Sequence, residues 1–192
     1  MSVSHGKKKT KLNKLVGLKT VPLTDLFEVQ YGTNLELIHL IKNPKGINFV
    51  ARTSQNNGVA ARVQRLYDLD PTQGMVLTVA GGGSILETFL QLEPFYSGRD
   101  LFVLKPKCPM TIDEMLYYAT CIKANQYKYS YGRQANKTLR ILPVPDYESI
   151  PQWVYGATER IATDITHFTD GRTITYTRTP TKWASRFGEL CM

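Results

Sequence analysis

The segment Asn48-Phe49-Val50-Ala51-Arg52-Thr53-Ser54-Gln55-Asn56-Asn57-Gly58-Val59 delivers Arg52, Ser54, Gln55, Asn56 and Asn57 in quick succession from a strand-like run. These residue types match base edges: arginine donates twice to guanine, and asparagine or glutamine pairs a donor and an acceptor with adenine. Asn57-Gly58 also suits a hairpin turn with positive φ, so these two residues are assigned to the turn. Arg52, Ser54, Gln55 and Asn56 stand as candidate base readers. A second segment, Tyr127-Lys128-Tyr129-Ser130-Tyr131-Gly132-Arg133-Gln134-Ala135-Asn136-Lys137, interleaves aromatic and cationic residues. Lys128, Arg133 and Lys137 suit phosphate contacts, with Tyr129 and Tyr131 packing against sugar or base. The alternative is that the tyrosines pack beneath the loop and Gly132 turns the chain. Arg62 and Arg65 are further candidates for phosphate.

Other chemistries find little support. The run Ala80-Gly81-Gly82-Gly83-Ser84 is followed by Ile85-Leu86, where a phosphate-binding Walker loop needs lysine and then serine or threonine. It reads as a tight hairpin turn. Pro145-Asp146 lacks the following acid-x-Lys of a metal-dependent nuclease, and no Asp/Asn-Pro-Pro-Tyr stretch suggests an amino-methyltransferase loop. Cys108, Cys121 and Cys191 have no CxxC or CxxH spacing, and His5, His39 and His167 are scattered. They suit a reducing compartment without structural zinc. Asp113 and Glu114 fall in a helix's first turn, where the helix dipole accounts for them. No catalytic residue, metal ligand or cofactor is expected in this chain.

The formal net charge of +8 favours a polyanionic partner. Six of these charges, Lys7, Lys8, Lys9, Lys11, Lys14 and Lys19, lie in residues 1–20 with no acid, leaving eighteen cations against sixteen acids elsewhere. Residues 1–20 read as a basic disordered leader. Acids are absent between Glu36 and Asp68, where Lys42, Lys45, Arg52, Arg62 and Arg65 occur. They are absent again between Glu114 and Asp146, where Lys123, Lys128, Arg133, Lys137 and Arg140 occur. The two gaps suggest one basic face. No apolar run approaches the roughly 20 residues that cross a bilayer, and the chain opens without a signal-like apolar segment. The expected address is the cytoplasm.

The elements that position these segments read as α+β. Thr24 is expected to cap one or two helical turns over Asp25-Leu26-Phe27-Glu28, ended by a turn at Tyr31-Gly32. Strand-like runs follow at 47–51, 59–63, 75–79, 86–90 and 101–104, predicting a twisted, mostly antiparallel sheet of about five strands. Thr111 caps a helix reaching about Asn125, with Ile112, Met115, Leu116, Ala119 and Ile122 as its apolar face. Ile141-Leu142-Pro143-Val144-Pro145 is forced into an extended path. A second helix is expected over residues 151–168, with Trp153, Ala157, Ile161 and Ile165 on a stripe for dimerisation or partner docking. Its roughly 17 residues would span about 25 Å.

Both candidate segments, together with Asp25-Leu26-Phe27-Glu28-Val29-Gln30-Tyr31-Gly32 and Gln91-Leu92-Glu93-Pro94-Phe95-Tyr96, resemble a target recognition domain of the type I restriction-modification DNA specificity subunit family. The order also fits: Leu-Phe-x-x-x-Tyr-Gly, Asn-Phe-Val-x-Arg-Thr, Asn-Asn-Gly-Val, Gly-Ser-x-Leu-x-Thr-Phe, Pro-Phe-Tyr, Tyr-Gly-Arg and closing Leu-Pro-Val-Pro. The resemblance runs from about Leu23 to Trp153. It implies a recognition domain at residues 21–150 that reads one short half of a bipartite double-stranded DNA target without catalysing a reaction. The implied partner is a DNA adenine methyltransferase subunit, which would carry the S-adenosylmethionine. Full subunits of this family hold two recognition domains separated by long helices, whereas one domain and one helix are read here. Trp183-Ala184-Ser185-Arg186-Phe187-Gly188-Glu189-Leu190 echoes the opening motif, so residues 169–192 read as an irregular tail or the start of a truncated second unit. A homodimer through the C-terminal helix is one expectation. A decoy that occupies the specificity site of a methyltransferase without reading DNA is the alternative, and a DNA-processing enzyme would need a cluster that these residues do not supply.

Overall fold

The computed structural model describes residues 19–129, 135 and 138–169. Two compact units follow one another in the chain, divided after Ala157. The first is α+β, as expected, but its strands form three sheets where a single sheet of about five strands was expected. β1 (Thr20–Pro22) pairs with β9 (Pro143–Pro145). β2 (Phe27–Tyr31), β8 (Leu101–Pro106), β5 (Val76–Ala80) and β6 (Thr88–Gln91) form an antiparallel sheet in that order. β4 (Val59–Val63), β3 (Lys42–Val50) and β7 (Phe95–Ser97) form the third, with β3 and β7 parallel.

Alternation at period 2 explains how the four-stranded sheet occupies the middle layer. Phe102 and Leu104 of β8, with Leu77 and Val79 of β5, join the main core, which also holds Met115, Tyr118, Ala119 and Ile122 of helix α2 (Ile112–Lys123). Val76, Leu101 and Val103 pack instead with Val50 and Phe95 of the three-stranded sheet. Phe49, Val63 and Tyr96, on that sheet's other face, are covered by Leu35, Leu37, Leu40 and Leu66.

The N-terminal helix is shorter than expected. Helix α1 (Leu23–Leu26) is a single turn, and Thr24 makes no cap. Backbone carbonyls supply what a hydroxyl would: Leu23 N donates to Leu142 O at 2.9 Å and Thr24 N to Arg140 O at 3.2 Å. Phe27 and Glu28 already belong to β2, where buried Phe27 and Val29 alternate with exposed Glu28 and Gln30. The expected leader loses its last two residues to the fold. Thr20 lies in β1, and Lys19 Nζ stands 2.5 Å from Asp146 Oδ2.

Thr111 does cap α2, and the cap is reciprocal: its hydroxyl accepts from Glu114 N while Glu114 accepts from Thr111 N. The helix's apolar face is rotated from the expected one. Ile112 and Leu116 are exposed, and Tyr118 takes the buried place, its ring edge-on to Phe27 at 5.4 Å and its hydroxyl donating to Pro145 O. The second expected helix is interrupted. Residues Gln152–Val154 form one 3₁₀ turn, Gly156 adopts φ 71°, and helix α3 (Ala157–Thr169) begins beyond it with 13 residues. Trp153 is therefore not on α3; its ring packs edge-on against Tyr117. Ala157, Ile161 and Ile165 do lie on α3, the last two four apart on one face and each more than half exposed. Among the described residues no helix is long and apolar enough to cross a membrane. Residues 170–192 lie outside the described residues.

Candidate nucleic-acid interface

The turn between β3 and β4 is built for a left-handed backbone. Asn56 and Asn57 have φ of 48° and 53°, values that asparagine tolerates better than most residues. Asn57 is structural, as expected: its Nδ2 donates to Leu90 O, and buried Gln91 donates from Nε2 to Asn57 O at 2.9 Å and Thr78 Oγ1 at 3.1 Å. These bonds pin the turn to the edge of the four-stranded sheet. Asn56 spends one of its two amide N–H donors within the turn, on Val59 O. Ser54 and Gln55 are exposed at the apex.

Arg52 opens the turn and is held at its head. Nη1 donates to Asp100 Oδ2 at 2.7 Å, and the side chain lies beside the glycine run, where a Cβ on Gly82 would come within 3.3 Å of Nη1. Asp100 O in turn accepts from Gly81 N at 2.8 Å, and Gly81 O accepts from Ala135 N at 3.0 Å. Ala135 is fully buried and belongs to the second candidate segment. Both segments, joined through Arg52 and Ala135 that stand 83 residues apart in sequence, thus meet around Gly81. The hairpin read into the glycine run is present, and it is the hub of three loops. Gly81 has no room for a side chain, because a Cβ would stand 2.6 Å from Phe102 Cε2 and 3.2 Å from Asp100 O. Gly81→Ala is expected to destabilise the fold by about 1–3 kcal/mol through overpacking, read as a lower thermal midpoint.

The acid-free stretches are not acid-free in space. Arg62 pairs with Glu93, which also accepts from Asn48; Arg65 pairs with Asp70, and Lys123 with Glu87. All of these acids come from outside the gaps, and of the pairs only Arg65 with Asp70 is local in sequence. Lys42, Lys45 and Lys128 have no carboxylate partner among the described residues. Lys128 Nζ donates to Asn125 Oδ1 and stands 5.6 Å from the Tyr127 ring centroid. Tyr129 is corrected from surface to core: its ring belongs to the main apolar cluster, the packing role held as the alternative. Tyr131, Arg133 and Lys137 lie outside the described residues.

The titratable groups are arranged for structure. Burial pushes the Cys121 thiol up, which disfavours a nucleophilic thiolate, and pushes the Tyr117 hydroxyl up to about 12. Burial also opposes ionisation of Glu114, but hydrogen bonds from Thr111 and Tyr147 outweigh it and hold the carboxyl below its usual range. Among the described residues no group of three His, Cys, Asp or Glu side chains could hold a metal ion.

Loops from three strand connections meet around Gly81, with Arg52, Ser54 and Gln55 exposed on the turn between β3 and β4. Residues 16–145 match the type I restriction modification DNA specificity domain, and the chain belongs to that family, whose function is DNA target recognition. It is similar to the type II restriction enzyme specificity subunit S.BcgI of Heyndrickxia coagulans, 26% identical over 153 residues, covering 75% of this chain and 43% of the relative. Its fold resembles the S subunit of a type I restriction-modification system from M. genitalium, with TM-score 0.56, 18% identity, and coverage of 82% of this chain and 41% of that one. It also resembles the HsdS subunit from Thermoanaerobacter tengcongensis, with TM-score 0.54, 14% identity, and coverage of 82% and 40%. The chain spans about two fifths of the length of these relatives.

Proposed function

We propose that this chain reads one short double-stranded DNA target as the non-catalytic specificity component of a restriction-modification methyltransferase complex. The observation that carries the reading is the convergence of both candidate segments on Gly81, with Arg52 held beside it by Asp100. Arg52, Ser54, Gln55 and Asn56 read base edges, while Lys128, Arg133 and Lys137 contact phosphates. Arg62 and Arg65 contribute less to phosphate binding, because each already faces a carboxylate. The partner is a DNA adenine methyltransferase subunit that binds S-adenosylmethionine, and the complex works in the cytoplasm. Ile161 and Ile165 of α3 offer an apolar stripe to a second copy of the chain, which would supply a second half-target by two-fold symmetry.

Selection from randomised duplexes with the full chain, alone and with a methyltransferase subunit, tests this directly. One short motif should be enriched. Tight partner binding with no enriched motif would overturn the reading in favour of a decoy. Lys128→Ala should weaken binding to all duplexes alike and reduce the slope of log affinity against log salt by about one unit. An unchanged slope would remove Lys128 from the interface.

A further inference from the structure

We propose that Asp100 is a specificity-determining positioning residue: it holds Arg52 for two-donor recognition of a guanine and keeps that arginine from acting as a phosphate contact. The inference rests on the DNA-reading function proposed above.

Asp100 sits in the connection between β7 and β8, at φ 51°. Glycine is the default residue at such a position, because it has no Cβ to strain the left-handed backbone. The aspartate there places Oδ2 2.7 Å from Arg52 Nη1, across 48 residues of sequence, while its backbone oxygen takes Gly81 N. The carboxylate is thus fixed at its backbone by the same loop that flanks the arginine. Arg52 has five N–H donors and spends one nitrogen on Asp100. Its other guanidinium donors remain for a ligand, and a fork of two donors matches the O6 and N7 acceptors of guanine.

Charge separates this role from plain phosphate binding. A carboxylate 2.7 Å from the guanidinium cancels most of its field toward an approaching phosphate, and would itself repel one. A base edge carries no net charge, so it meets no such repulsion. Both partners are partly exposed, which leaves the pair accessible to a ligand and makes it a small contributor to folding.

The role predicts opposite changes in two readouts. In the full chain, Asp100→Gly removes the carboxylate and suits the left-handed backbone, so the thermal midpoint should hold. Preference for guanine at the position read by Arg52 should fall about tenfold. Affinity for unrelated duplexes should rise, with the salt slope steeper by about one unit, because Arg52 becomes free to take a phosphate. Asp100→Asn, which keeps an acceptor oxygen without the charge, should fall between wild type and Asp100→Gly. The position itself is identified by Arg52→Ala. An Asp100→Gly chain that keeps full guanine preference, or that loses affinity equally for all duplexes, would overturn the positioning role and leave DNA reading intact. A wild-type chain with no enriched motif would overturn both.

Discussion

Arg52→Ala should abolish preference at one base pair of the target while leaving affinity for unrelated duplexes nearly unchanged. The size of the effect follows from the geometry. A two-donor arginine–guanine contact is worth about 1–3 kcal/mol of discrimination, roughly 5- to 150-fold in relative affinity. Asp100 already neutralises much of the arginine's charge, so little general electrostatic attraction is lost with the side chain. The measurement is competition between the selected duplex and its single-base variants. Equal losses on every duplex would assign Arg52 to the phosphate backbone and sink its base-reading role.

Glu114→Ala should produce the largest loss of stability among these substitutions, about 2–4 kcal/mol. Glu114 is only 3% exposed and accepts from Thr111 N at 2.7 Å, Thr111 Oγ1 at 3.0 Å and Tyr147 OH at 2.8 Å. Alanine keeps the bond from its own N to Thr111 Oγ1 but removes the returning carboxylate half of the cap, a loss of about 1 kcal/mol, and leaves the part-buried Thr111 and Tyr147 donors without their acceptor, a loss of about 1–3 kcal/mol. For a chain of this size the thermal midpoint should fall by roughly 4–16 °C. The same carboxylate gives a pH dependence of known sign. Its pKa is lower in the fold than in the unfolded chain, so its stabilisation is complete above the ordinary carboxyl range and is lost as pH falls through the folded-state value. Glu114→Gln should lack that part of the acid-induced loss. A variant whose acid transition matches wild type would show that other carboxylates govern it.

Much of the strand framework is legible in the sequence. The run Val59–Val63 coincides with β4, and the other predicted runs overlap β3, β5, β6 and β8. β2 was hidden because Thr24-Asp25 resembles a helix start, although Phe27-Glu28-Val29-Gln30 carries the alternation that marks a half-buried strand. β7 was hidden by its three residues and the preceding Pro94. The separation of the three-stranded sheet from the four-stranded one depends on the parallel pairing of β3 with β7, a contact across about 47 residues that no local pattern encodes. The same limit applies to the site. The residue types of the 52–57 turn are visible, and so is the structural use of Asn57-Gly58. Asp100 and Glu93 are not visible, because an acid's distance in sequence says nothing of which cation it meets. Tyr129 was ambiguous for a related reason: interleaved tyrosines suit a wet loop and a buried ring equally until the fold chooses.

The hydrogen-bonded sequence Arg52, Asp100, Gly81, Ala135 crosses four loops contributed by distant parts of the chain. Substitutions along it will not combine additively, and a double-mutant cycle between positions 52 and 100 should show coupling where distant pairs show none. Retargeting is constrained accordingly. A graft of the 51–58 turn alone would bring a new reader to an unchanged acid and an unchanged glycine floor. Exchange of target therefore requires all four loops to move as one cassette.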